Sequence, residues 1–411
     1  MVDSASHRTD PRTLRAWWAH RQGLGGELHG SSAAEVLART GWARSVGGCT
    51  AYLGLFARAG LDRETVDRDV ADLEIHELPS ARGCTYILPN DDFALGLTVG
   101  AGAPEAEIVA AIKFLGVSRA EIDMLTAAVL LVLDEAAEPM DPAAIRTAVG
   151  DAVRSLGEEG KKRGLTTTLP LALGLLQARG QIRRVPVNGR LDQQRYGYVR
   201  WTPSPLAGLD PDPDRARVSL AARYFAWAGP ASLKHFRWFA GCTAAQAKAA
   251  TAPLGLVPLE GTELLALPEQ LDELASFTVP KRAEYALVTA IDGVHLLHRD
   301  LGRLLDAEDA ARQQPGGKPG RTLGDEPDPQ CPIIVDRGRI VGLWEYDVDS
   351  KSIAYQAFVK PDAALKDAVA RTEAFVRDQL GDARTFSLDS PKSRAPRIAA
   401  LTTTPPPPSP R

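Results

Sequence analysis

The dipeptide Asn188-Gly189 lies between two β-prone runs, Gln181–Val187 and Arg195–Trp201, and commits this stretch to a hairpin. Both residues tolerate the positive φ that a tight turn demands. Asn188–Gln193 is polar or turn-forming except for Leu191, so the tip is expected to exceed two residues. Helical patterns precede the hairpin. Ser118–Glu135 carries Ile122, Leu125, Val129, Val132 and Leu133 at helical spacing. Asp141-Pro142 supplies a cap and a proline at the first helical position, opening a helix through Val149. Leu169–Arg179 follows Gly164 and Thr166–Thr168 and is closed by Gly180. Three helices and a hairpin make a winged helix, whose third helix is expected in a DNA major groove.

The pattern recurs. Val218–Ala228, Leu233–Phe239 and Thr243–Ala250 read as helices ahead of a second hairpin, Leu256–Leu259 with Glu263–Leu267. Upstream, Pro11–Gln22, Ser31–Gly41, Ala51–Arg58 and Arg63–Leu73 read as helices before the strands Glu74–Leu78 and Thr85–Leu88. The C-terminal part differs, with strands at Tyr285–Ile291, Cys331–Val335, Arg339–Trp344 and Ser352–Phe358 and a helix over Pro361–Leu380. The expected fold class is α+β, tandem winged-helix domains followed by a C-terminal mixed α/β domain. The expected divisions are 11–112, 113–205 with the basic wing, 216–280, 281–400, and a disordered tail 401–411 containing Pro405–Pro408. Pro203–Arg215 reads as a linker and Gln313–Pro329 as a coreless surface loop.

Charge is unevenly placed. The 411 residues carry a net −4, which excludes a uniformly basic coat. Residues 161–200 hold nine cations against the single acid Asp192, a net +8, so the remainder carries −12. The excess falls on the helix-plus-wing segment, where phosphate binding needs cations and N–H donors. The candidate DNA contacts are Lys161, Lys162, Arg163, Thr166, Thr167, Thr168, Arg183, Arg184, Arg190 and Arg195. The bland alternative is a solvated positive face.

Other constellations are weaker. His295 and His298 form an HxxH without a third ligand, which is structural more often than metal-binding. Gly23, Gly25 and Gly26 lie between helices, not after a strand. Cys49, Cys84, Cys242 and Cys331 are far apart and read as reduced thiols. Asp91-Asp92 reads as a helix cap. No cofactor or metal is expected. No run approaches the roughly 20 apolar residues of a spanning helix, and the N-terminus lacks a signal pattern, so a cytoplasmic, nucleoid-associated protein is expected. The Ala/Arg-rich composition points to a bacterial source.

Several segments, in shared order over roughly residues 12–380, resemble the AlkZ-like (YcaQ-like) DNA glycosylases. They are Ala51-Tyr-Leu-Gly-Leu-Phe-Ala-Arg58, Arg82-Gly-Cys-Thr-Tyr-Ile-Leu-Pro89 with Asp91-Asp92, Arg223-Tyr-Phe-Ala-Trp-Ala-Gly-Pro230, Phe236-Arg-Trp-Phe-Ala-Gly241, Asp292 with His298-Arg299-Asp300, and Val335-Asp-Arg-Gly-Arg-Ile-Val-Gly-Leu-Trp344. The resemblance implies excision of alkylated bases or unhooking of interstrand crosslinks in double-stranded DNA, by a chain expected to be a monomer. The family's catalytic motif is Gln, an apolar residue, then Gln or Asp. That position maps to Arg44, Ser45 and Val46, and no Gln, Asp or Glu occurs between Val36 and Gly60. Base excision passes through a sugar with oxocarbenium character, which needs a group to position water and stabilise positive charge. Ser45 could orient water, whereas Arg44 would repel the developing cation. The catalytic residues are therefore open, with Asp91, Asp92 and Glu77 as candidate substitutes. Two alternatives remain: a non-catalytic winged-helix DNA-binding or regulatory protein, and a module that binds small molecules or proteins.

Overall fold

A computed structural model describes residues 9–317 and 320–403. Helices α1 (Pro11–Arg21) and α2 (Ala33–Thr40) open the chain, each with a side-chain N-cap, Asp10 and Ser32. Strand β1 (Ala43–Arg44) follows, then α3 (Thr50–Ala59), α4 (Arg63–Ala71), β2 (Ile75–Pro79) and β3 (Thr85–Pro89). The short β1 was not anticipated; it pairs antiparallel with β3, giving the order β1-β3-β2. Next come α5 (Phe93–Gly100) and α6 (Gly102–Leu115), also unanticipated. The helical stretch Asn90–Leu115 is long and apolar enough to cross a membrane by length and composition. This corrects the expectation that no such run exists, which counted unbroken apolar residues and missed a window diluted by glycine and threonine. Here α6 packs on α10, and its Glu105 pairs with Arg119.

The central segment has α7 (Arg119–Glu135), α8 (Pro142–Val149), α9 (Gly157–Lys162), α10 (Leu169–Ala178) and the wing β4 (Ile182–Pro186) with β5 (Tyr196–Arg200). Ser118 and Asp141 cap α7 and α8 as their sequence signals require. Met140 bridges Tyr198, tying the start of α8 to the wing. The third segment is α11 (Pro213–Ala228), α12 (Leu233–Ala240), α13 (Ala244–Thr251), a minimal hairpin β6 (Val257–Pro258) with β7 (Leu265–Ala266), and α14 (Pro268–Ser276). Thus α11 begins inside the expected linker, because Asp212 caps it and Pro213 fits its first turn.

Strand β8 (Tyr285–Val288) leads to short helices α15 (Gly293–Leu296), α16 (Leu301–Leu304) and α17 (Ala307–Ala310). Strands β9 (Ile333–Asp336), β10 (Arg339–Asp347) and β11 (Ser352–Ala357) complete an antiparallel sheet of order β11-β10-β9-β8. Helices α18 (Ala363–Phe375) and α19 (Pro391–Thr403) pack on it. Two expectations change here. The loop Gln313–Pro329 contributes Leu323 to a core and buries Gln314, whose side-chain oxygen Oε1 accepts from Gln330 N–H at 2.8 Å. The tail 401–411 begins as helix, with Leu401 buried; Pro405–Pro408 lie outside the described residues.

One core joins α2–α4 and one face of β1–β3 to one face of the C-terminal sheet and α18. A second lies on that sheet's other face against α1 and α14. A third fills the opposite face of β1–β3 against α5 and α11–α13. The central helices have smaller cores of their own. Residues within 11–112 and 281–400 therefore share buried surface, stapled by the Arg58–Asp292 pair at 2.7 and 2.9 Å, both nearly fully buried.

Candidate functional site

Side chains alternate along a strand, so the pairing of β1, β3 and β2 decides what the motif position faces. Ala43 opposes Ile87, and Ile87 opposes Glu77. Ser45 continues β1, its N–H donating to Thr85 O at 3.0 Å. Ala43, Ser45, Thr85, Ile87 and Glu77 thus share a face, whereas Trp42, Arg44, Tyr86, His76 and Leu78 share the other. Ser45 Oγ donates a short hydrogen bond to Glu77 Oε1. Arg44 turns away, giving its guanidinium to Ser45 O and Thr85 O and lying 5.3 Å from the Tyr86 ring. Val46 O accepts from Ser387 N at 3.0 Å. Gly47 has φ +75°, a conformation that favours glycine, and the Gln194 side chain packs against it.

Glu77 is 5% exposed. Its second oxygen, Oε2, is buried without a hydrogen bond and 3.8 Å from Arg184. The Tyr196 hydroxyl is held well above its usual pKa by burial and by the Glu77 carboxylate. His76, between Phe93 and Trp201, is fully buried with both ring nitrogens unpaired. Burial, then Arg183 and Arg184, push its pKa down to about 3.

Two adjoining clefts of about 540 and 690 Å³ meet at this point. The first lies between the N-terminal hairpin and the central helices, lined by Pro79, Thr85, Arg146, Thr166, Thr167, Gln177 and Arg184. The second continues along the wing past Gln194, Arg195 and Tyr196. Pro142, Ala143, Arg184 and Tyr198 line both, so the two form one groove.

The residues singled out by sequence divide accordingly. Thr166, Thr167, Arg184 and Arg195 line the groove. Thr168 does not; it is fully buried and its hydroxyl accepts from Arg154 N at 3.1 Å. Lys161 and Lys162 are exposed on α9 and pair with Glu158 and Glu159, each at 2.6 Å. Such surface pairs are weak, but both lie outside the groove lining. Arg163 stacks 4.2 Å from the Phe114 ring. Arg183 is on the opposite face of β4 from Arg184, without an acidic partner among the described residues. Arg190 is turned inward, bound to Asp192 and to Leu380 O at 2.9 Å. Beside it Leu191 enters the first core, and its N–H donates to Tyr52 Oη at 3.0 Å. The wing tip is therefore longer than two residues, as expected, and it is docked.

The third helix of the module also departs from expectation. In α10 most residues are buried, against α5, α6 and α7, and it turns Pro170, Gly174 and Gln177, not cations, to the groove. A helix this apolar, LPLALGLLQA, is spent on core. Arg146 was missed; it is the one cation in α8, and that was its signal. Asp92 caps nothing with its side chain. It is buried, taking Trp42 Nε1–H at 2.8 Å and pairing with Arg223 at 2.9 Å. Asp91 is exposed. His295 meets Asp328 and His298 meets Ala228 O, so the HxxH side chains serve separate contacts.

A family model described as DNA glycosylase AlkZ-like matches residues 48–386. A protein of Streptomyces sahachiroi named interstrand DNA cross-link repair glycosylase is 26% identical over 350 residues, 81% of this chain and 87% of that one. The solved structure of Streptomyces sahachiroi DNA glycosylase AlkZ matches with a TM-score of 0.65 at 22% identity, over 92% of this chain and 99% of that chain, a likeness of fold.

Proposed function

The chain belongs to the AlkZ-like DNA glycosylase family, and from that premise we propose that it excises alkylated bases from duplex DNA bound along the groove. The relative named for interstrand cross-link repair extends the proposed substrates to bases tethered across the duplex. The observation that carries this reading is convergence. Arg146 from α8, Arg184 from β4 and Arg195 from the wing line one groove, and its wall includes Thr85, the neighbour of the family's motif position. Cations so placed hold phosphates without reading sequence. The flipped nucleotide would be presented to the sheet face carrying Ser45 and Glu77. Of the ten residues inferred from sequence, Thr166, Thr167, Arg184 and Arg195 support this role best. Action on duplex DNA as substrate would put the protein at the chromosome, and we propose that it acts there as a monomer.

Duplex carrying N7-methylguanine should yield alkali-labile abasic sites in single-turnover incubation, as should a crosslinked duplex. The absence of glutamine or aspartate from Arg44-Ser45-Val46 favours one second reading, a DNA-binding protein without catalysis. Tight, salt-sensitive binding with no base release from any adduct would select it.

A further inference from the structure

A carboxylate taken out of water needs partners for both oxygens. Glu77 has them for one only. Oε1 accepts from Ser45, while Oε2 is buried without a hydrogen bond and faces Arg184 at 3.8 Å, beyond hydrogen-bond reach. Arg184 lines both clefts and Tyr196 lines one, so the unsatisfied oxygen lies directly behind the groove wall. The Tyr196 hydroxyl is buried beside the same carboxylate, which helps to hold its proton on.

We infer that Glu77 is the catalytic carboxylate of this chain, supplied from β2 on the sheet face of Ser45, the middle one of the three motif positions, with Ser45 as its positioning residue. The inference rests on the glycosylase reading and names its chemistry. Ala43, Ile87 and Glu77 lie in one cross-strand row, and Ser45, two residues on along β1, shares their face and reaches Glu77 with its hydroxyl. The substrate is a deoxynucleotide whose purine is made cationic by alkylation. As the bond from C1′ to the base nitrogen breaks, its electron pair passes to the base and neutralises the ring. Water oxygen bonds to C1′, and its proton goes to Glu77 Oε2 and then to solvent. The products are an abasic sugar and a neutral alkylated base. Negative charge on Glu77 faces the oxocarbenium-like sugar. The Arg184 pair is loose enough to exchange Glu77 for a DNA phosphate, which uncovers Oε2 and removes a cation from beside the developing positive charge.

The test uses the full chain and a duplex with one N7-methylguanine, under single turnover, with binding to undamaged duplex measured alongside. Glu77→Gln should slow base release by about 100-fold or more while the dissociation constant for duplex stays within about threefold. Ser45→Ala should slow release less, through the rate of release and not through duplex binding, and Ser45→Thr, which keeps a hydroxyl donor for Glu77 Oε1, should restore it. Release by Glu77→Gln within threefold of the native rate would overturn the assignment while leaving the glycosylase reading intact. No release by the native protein from any adduct would overturn both. Should Glu77→Gln fail to fold, release by Ser45→Ala at the native rate would overturn the assignment by itself.

Discussion

His76 and Glu77 are neighbours on β2 and meet opposite fates because strand alternation sends them to opposite faces. Glu77 lies behind the groove wall, next to Arg184; His76 is sealed between aromatic rings and held neutral, its pKa down at about 3 against about 6.5 when unfolded. His298, buried against Trp18, is lowered to about 4. The unfolded chain therefore binds protons that the native state refuses between these values. Stability is fully present above pH of about 6.5 and falls as pH drops towards about 3, by up to about 1.4 kcal/mol per pH unit for each histidine. Urea unfolding at pH 7.5 and 5 should show this loss, and His76→Leu should make it smaller. Among groove residues, Arg146→Ala, Arg184→Ala and Arg195→Ala should each weaken duplex binding and lower the salt slope by about 1. Lys161→Ala and Lys162→Ala, already paired and outside the groove lining, should change it little.

At the scale of elements, the wing is held at both ends. Its base is tied by the Met140–Tyr198 bridge, and its tip by Leu191, which is 2% exposed inside the first core. Leu191→Ala should cost about 2–5 kcal/mol by the cavity it leaves. Hydrogen exchange across residues 188–194 should quicken in that variant, while α7 remains protected. The hairpin itself was legible from Asn188-Gly189, and α7 and α8 from their caps, because those signals are local. What was not legible was set by distant partners. Leu191 read as a stray apolar residue in a polar tip because the core that receives it comes from α3 and the C-terminal part. Arg190 read as a phosphate contact because Leu380 O is 190 positions away. Strand β1 has two residues and exists only through β3. Glu77 was one candidate among acids until the register put it beside Ser45.

Across the whole molecule, buried charge joins segments remote in sequence. Arg58 and Asp292 lie 234 positions apart and are both nearly fully buried. Glu345 on β10 is held by Arg397 of α19 at 2.7 Å, with Arg394 of the same helix buried beside it. Removing one partner leaves an uncompensated buried charge, so Arg58→Leu should lose about 3–5 kcal/mol. The loss should appear as a lowered midpoint for the N-terminal and C-terminal parts together, because they share a core. Docking of the wing tip has a further mechanical consequence. A hinged wing would adjust to its cargo; this one sets a gauge. The elastic work of fitting then falls on the nucleic acid. A duplex weakened by damage, or one rich in pyrimidine–purine steps, yields at lower cost than a stiff one. An opening that does not flex thereby sorts its substrates by compliance, before any base is read.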